Sequence, residues 1–497
     1  MSKIKISTLK VPIIKFSNSV TATVLFAWPL IGLSWFVYQY GSIYLSCIVS
    51  LLIVVVTITI EAKKGPIDYF SPILFFSLLF VIGFVLRPYI LYTFVDNFYR
   101  SDWLYSHEDF IRLCLKALFI GQIGYLAFNL GYQFMVGDKI KPCVKSNAPF
   151  LRLNSLIIFF SLIGFIGYGV YIVNSGFSPS EFLMASANID KGGKYSLFAT
   201  SWMFIVANLI FFHSLINHNN IRKNNYLFMA HALMSVLISI SFHDRKWLVL
   251  YIASLLIIYS YKKTRITFAK ISVFSIVAIS ILLGLKLLRN YSYALSESAT
   301  AGIVWDDQTL LFLVDQIIIG GMFSYFDYFA RLVDVFDYEK FMPFYNFKYF
   351  ALSVFPQSIF EFDKPIPISQ WVVNKYWTYK TSAPSPAISV FGEFYSMGGL
   401  SAIILGLFSV GIVYGRIYSY LVLHSEKYLY LILYILFFQN SLLIVRTMFF
   451  SNFVGFLLML SFFLFFWLIW KTGSAAFLKM NIRIIQNASQ RNKIYDN

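Results

Sequence analysis

Apolar runs of membrane-spanning length recur from one end of this chain to the other. No soluble core would bury a dozen segments such as "LSCIVSLLIVVVTITI" (45–60) or "VGFLLMLSFFLFFWLIW" (454–470). A bilayer accommodates such segments only if each closes its own backbone hydrogen bonds, which means a helix. The fold class expected is therefore an all-α polytopic membrane protein, and a composition that is 59% hydrophobic and 13% charged over 497 residues agrees. The runs predict twelve spans, near 20–38, 42–60, 71–92, 110–135, 153–173, 196–215, 226–242, 247–261, 268–288, 388–415, 428–445 and 448–470. The first run, "LFAWPLIGLSWFVYQYGS", has a basic lead but no A-x-A cleavage site, and is expected to remain as a span.

An even number of spans puts both termini on one side. Alternate connections are basic: Lys3 to Lys15, "EAKKGP", "GDKIKPCVKSNAPFLR", "IRKNN", "YKKTR", and a tail with Lys471, Lys479, Arg483, Arg491 and Lys493. The positive-inside rule assigns these to the cytoplasm, so the net charge of +17 reads as topological bias rather than as a nucleic-acid surface. Of the 40 Lys and Arg residues, 17 still remain on the outer side, an excess that asks for its own explanation. The organisation expected is spans 1–9 over residues 1–288, a large outer loop over 289–387, spans 10–12 over 388–470 and a basic cytoplasmic tail over 471–497. A connection of about a hundred residues is too long to be idle in a compact protein. Within it, "DQTLLFLVDQIIIGGMFSYFDYFARLVDVF" has amphipathic helical spacing broken at Gly320-Gly321, and "KPIPISQWVVNKYW" predicts a second short helix. These helices are expected to lie on the membrane surface as a lid. A third short helix is predicted in "SGFSPSEFLMASANIDKGGKYS", between the fifth and sixth spans.

Ionisable groups in or against spans cost roughly 2.5–3.5 kcal/mol each on translocon scales, so each is a functional candidate. His243, Asp244, Arg245 and Lys246 share the tight turn "SFHDRKWL"; Arg289 ends the ninth span; Arg446 joins the last two. Glu393 enters the tenth span from the same side, which makes an electropositive cup with one carboxylate. Each residue also has a structural reading: an interfacial arginine, an ion-pair partner for Glu393, or a cap in the turn. Arg331 lies among Asp327 and Asp334 on the amphipathic stretch, where a solvated helical pair is expected. Trp305, Trp371 and Trp377 in the loop, with Tyr395, are candidates for contact with sugar rings.

The chain carries no Walker loop and no D-x-D placed for a metal-dependent transferase, so the energy for any transfer must come with the substrate. Cys47, Cys114 and Cys143 lack metal or redox spacing, and four of the six histidines (His213, His218, His231 and His424) fall toward the cytoplasmic side, leaving His107 and His243. No metal and no cofactor are expected.

"FPQSIFEFDKP" (355–365), followed by "SAPSPAISVFGEFYSMGGLSAIILGLFSVG" (382–411), is similar to the loop-then-helix pattern of Wzy-type polysaccharide repeat-unit polymerases. Twelve spans, inside termini, one large outer loop before the tenth span and an arginine after the seventh extend the resemblance as architecture. Lipopolysaccharide ligases share that GT-C-like architecture. A ligase of the familiar kind carries a histidine near position 393, where this chain has Glu393. The resemblance implies a glycosyltransferase of the bacterial inner membrane, active on the periplasmic face. Such an enzyme moves a growing glycan from one undecaprenyl diphosphate carrier to a repeat unit on another, with a chain-length regulator as a further partner. It implies Arg245, Lys246, Arg289 and Arg446 as diphosphate binders, Glu393 as the base with His243 or Asp244 second, and Trp305, Arg331, Trp371, Trp377 and Tyr395 along the glycan. The alternatives are a ligase-type lipid-glycan transferase and a lipid-linked oligosaccharide flippase; a flippase would place its cations near the bilayer midplane.

Overall fold

The structure, a computed structural model, describes residues 18–93, 107–137, 150–174, 194–217, 221–241, 246–274, 277, 280, 325–353, 365–376, 388–425, 427–441, 444–445, 449–450 and 453–473. Among these residues every regular element is a helix. They are α1 (Asn18–Tyr40), α2 (Ile43–Lys63), α3 (Pro72–Thr93), α4 (His107–Val136), α5 (Phe150–Asn174), α6 (Lys194–Asn217), α7 (Ile221–Ser241) and α8 (Lys246–Lys262). Then follow α9 (Tyr325–Tyr338), α10 (Tyr345–Ser353), α11 (Ile368–Tyr376), α12 (Ser389–Leu423), α13 (Tyr428–Ser441) and α14 (Phe453–Gly473). Eight of these, α1 to α6, α12 and α14, are long and apolar enough to cross a membrane, and shorter apolar helices lie within α7, α8 and α13. This is the fold of a polytopic membrane protein. The ninth predicted span, 268–288, is described as continuous helix only over 268–274, and the tenth runs on to Leu423, beyond its predicted end. The short helix predicted between the fifth and sixth spans lies outside the described residues.

With no hydrophobic force between helices in lipid, close approach and polar contacts hold a bundle together. The most extensive packing joins α4 to α12 and α5 to α6. At the first crossing the backbones touch: a Cβ on Gly131 would lie 2.1 Å from the Phe408 carbonyl oxygen, and one on Gly411 2.2 Å from that of Phe128. Between α2 and α4 runs a polar seam in one register. Gln122 donates to Ser50 (2.8 Å), Asn129 to Thr57 (3.0 Å) and Gln133 to Glu61 (2.6 Å), each pair 72 residues apart. A constant offset means that the two helices run parallel, in step. A second neutral network joins α5 to α8: His231 meets Ser161 (2.8 Å) and Asn208 (3.1 Å), and the Tyr251 hydroxyl donates to Asn208 (2.7 Å).

The two ends of the bundle differ. At one end Asp68, in the turn between α2 and α3, accepts from the hydroxyls of Tyr261 and Tyr418, both at 2.5 Å, which ties α8 and α12 to that turn. At the other end α9 is docked against α3, α4 and α12. Its apolar face (Phe326, Phe329, Leu332, Val333, Phe336) is buried against the core, as the amphipathic spacing requires of one side of the helix. The short predicted helix in "KPIPISQWVVNKYW" is α11, and α10 between the two was not expected.

Replacing Gly131 or Gly411 with leucine forces the α4 and α12 backbones apart and is expected to cost about 3 kcal/mol or more. Gly32→Leu, at a glycine with no atom within 4 Å of an added Cβ, is the control. Melting of the detergent-purified protein, followed by intrinsic fluorescence, should drop by many degrees for the first two and stay near wild type for the third. Equal melting of all three would show that the crossing is not held by these glycines.

Candidate functional site

The site grows from a break in α12. Gly398 and Gly399 leave the helical conformation (φ 174°, ψ 31° and φ 64°, ψ −145°), which splits a short first half carrying Glu393 from the long second half. The positive φ at Gly399 suits a residue without a Cβ, and the Phe341 ring leaves no room for one, at 3.0 Å from its ideal position. A break exposes backbone groups that an apolar bundle must satisfy elsewhere. The segment from α9 to α10 does this. Met342 N–H donates to the Ser396 carbonyl (2.8 Å), and the buried Asn346 side chain donates to the Glu393 carbonyl (3.0 Å) and to Ser396 Oγ (3.3 Å). A strap drawn from the 289–387 connection therefore grips the broken helix at its weak point. Tyr345 opens α10 with its hydroxyl on the Ile366 carbonyl (2.8 Å), and partial burial raises its pKa above the ordinary tyrosine value.

Glu393 is 1% exposed. Its Oε2 accepts the backbone N–H groups of Phe449 (2.5 Å) and Phe450 (3.3 Å), helical residues just ahead of α14. Backbone amides at the start of a helix lack partners in their own helix and carry its positive partial charge, so a carboxylate is the natural group to meet them. The charge in the mouth of this span thus faces backbone amides. The neighbouring Phe394 ring lies 6.4 Å from that of Phe449 and 6.3 Å from that of Phe450, closing the surroundings with apolar rings.

His243, Asp244, Arg245, Arg289, Arg446, Trp305 and Trp377 lie outside the described residues, and Lys246 is described only as the first residue of α8. The remaining candidates are gathered around α9. Tyr395 is buried, with its ring edge-on to Phe329 and Phe341, so it builds the wall of the site and offers no open face to a sugar. Trp371 is half-buried, stacked on Phe336 (6.2 Å) with Lys375 Nζ 5.0 Å from its ring centre. Arg331 is half-buried on α9.

Of the two acidic neighbours expected to pair with Arg331, Asp327 is taken out of that role by the fold. Asp327 is turned inward to Arg87 of α3, whose Nε donates to Oδ1 (3.0 Å) and Oδ2 (3.2 Å) and whose Nη2 also meets Oδ2. Both side chains are buried, 5% and 8% exposed. Nearer the surface, Lys116 of α4 pairs with Asp337 (2.5 Å) and Lys375 with Glu339 (2.9 Å). Sequence reasoning misses Arg87 and Asn346. The charge in "VLRPY" is visible as an intramembrane arginine; nothing marks Asn346. Among the described residues no group of three or more His, Cys, Asp and Glu side chains is placed to hold a metal ion.

Comparison with known protein families, curated proteins and solved structures finds no match.

The Glu393 contact carries a direct expectation. Glu393→Ala leaves two buried amides without their acceptor and should destabilise the protein by about 1–3 kcal/mol, whereas Glu393→Gln keeps an acceptor oxygen and should lose less. Melting temperatures of the two purified variants check this; a glutamine variant as unstable as the alanine variant would mean that the negative charge, and not the acceptor, is what the amides require.

Proposed function

We infer that this chain is a membrane glycosyltransferase that polymerises undecaprenyl-diphosphate-linked oligosaccharide repeat units into a surface polysaccharide. In this reading it works in the bacterial inner membrane, with its site toward the periplasm. The observation that carries most weight is a buried carboxylate on the short half of a broken helix, roofed by a strap from the long 289–387 connection. Broken helices and buried charge are costly in a bilayer and are kept where a substrate is handled. The described buried ionisable groups at this end, Glu393 and the Arg87–Asp327 pair, lie beside the strap, Glu61 with Lys64 and Asp68 lie at the opposite end, and the seam between α2 and α4 is otherwise amides and hydroxyls. Ionisable groups at the ends of the described bundle, with amides and hydroxyls between them, suit chemistry at a face better than a flippase with cations along a central path.

The chemistry follows from the donor. An acceptor hydroxyl attacks the anomeric carbon of the lipid-linked glycan, the bond to the diphosphate breaks, and the lipid diphosphate leaves with the negative charge. Arginines that meet its oxygens in pairs stabilise that departure, and Arg245, Lys246, Arg289 and Arg446 are assigned to it. The donor carries its own leaving group, so the reading calls for no cofactor. Because Glu393 Oε2 already takes two amides, its role in this scheme is to hold the start of the helix that follows Arg446. The proton of the attacking hydroxyl then goes to His243 or Asp244. Trp371, with Trp305, Trp377 and Arg331, would orient the glycan chains.

Deletion of the gene in the source organism, followed by gel analysis of the surface glycan, tests the assignment. A polymerase predicts collapse of the ladder to a single repeat unit on its final acceptor, restored by the native gene and not by Arg245→Ala. Intact polymer stranded on the lipid carrier would mean a ligase, and lipid-linked glycan trapped on the inner face a flippase.

A further inference from the structure

The buried Arg87–Asp327 pair is not needed to hold α9 in place. That helix already buries Phe326, Phe329, Leu332, Val333 and Phe336, and Tyr325 keys its first turn into α3. The Tyr325 hydroxyl donates to the Leu79 carbonyl, and its ring fills the space over Gly83, where a Cβ would lie 2.0 Å from it. Removing two charges from water costs more than an isolated pair usually returns, so an apolar pair would serve adhesion equally well. The setting of Arg87 is also unusual. It follows a π-helical turn over Ile82–Leu86, and its own N–H reaches back five residues to the Ile82 carbonyl. Such turns in otherwise regular helices concentrate at functional positions.

The location is shared with the candidate site. Phe84, one turn before Arg87, lies 4.7 Å from Phe391, and Phe329 of α9 lies 6.0 Å from the same ring, two residues from Glu393. Another polar tie of α9, Lys116 to Asp337, is partly exposed at 28% and 39% and is therefore a weak one. Asp327 presents two oxygens to the Arg87 fork, the same arrangement in which two oxygens of a phosphate are bound.

We propose that Asp327 is a stand-in anion: it neutralises Arg87 while the site is empty, and the diphosphate of a lipid-linked substrate takes its place on the guanidinium. Arg87 is then a cation for that diphosphate, and Asp327 the group that the substrate's own charge displaces. This rests on the transferase reading for the identity of the anion. The exchange itself rests on the buried pair.

The test uses the full-length protein in nanodiscs and inorganic pyrophosphate as the probe, with apparent Kd taken from the ligand-induced shift in melting. Asp327→Asn removes the competing charge and should tighten binding by about tenfold or more, while Arg87→Met combined with Asp327→Leu should weaken it by at least about as much without unfolding the protein. Arg87→Lys keeps the charge but loses the fork, and should weaken binding at nearly unchanged melting temperature. It decides the matter if the double apolar variant fails to fold. Pyrophosphate binding that is the same in wild type, Asp327→Asn and Arg87→Lys would overturn the proposal and leave the pair as a strut. The glycan ladder of the deletion strain separates the two readings: binding that follows the expected order, with a ladder unaffected by deletion, keeps the exchange and discards the transferase.

Discussion

A backbone carbonyl or amide with no partner inside an apolar bundle costs several kcal/mol, and the site end of this protein is arranged around that constraint. The break at Gly398 and Gly399 opens α12, and the hydrogen bonds from the strap to the broken half answer it. Met342 takes the Ser396 carbonyl, Asn346 takes that of Glu393, and Phe341 packs where Gly399 has no side chain. Glu393 then serves the same need on the other side, accepting the amides of Phe449 and Phe450. Two distant stretches of chain meet at one short helical segment because its backbone cannot satisfy itself.

That segment needs a rigid support, and the α4–α12 crossing supplies it. Glycines on both helices bring the backbones into direct contact, so the long half of α12 has little freedom to slide. Helix α4 is in turn held to α2 by the seam of Gln122, Asn129 and Gln133, whose fixed offset permits one register only. Most of the seam is amides and hydroxyls, which cost much less to desolvate than a charge, and Glu61 with its partner Lys64 closes one end of it. Where the strap docks, the buried ionisable groups are Glu393 and the pair of Arg87 with Asp327. A frame of interhelical polar contacts thus carries the end at which the strap docks.

The membrane-spanning character of this chain was determined by its sequence alone, because a run of about twenty apolar residues has one stable outcome in lipid whatever its neighbours are. The eight long apolar helices between Asn18 and Gly473 follow that rule; the amphipathic helix around Phe329 was legible from its spacing instead. The seam was not legible in the sequence: Ser50, Thr57 and Glu61 share their spacing with Gln122, Asn129 and Gln133, but only the packing shows that α2 and α4 stand side by side. What only the tertiary structure decided are the partners. Arg87 was visible as a charge in a span, but its carboxylate comes from a residue 240 positions away, and no spacing encodes that distance. Among the described residues Glu393 meets backbone amides, groups that every residue but proline carries and that leave no mark in a sequence. Apolar length is a local property that the bilayer reads directly; the pairing of buried polar groups depends on which helices stand side by side, and that is settled only when the bundle packs.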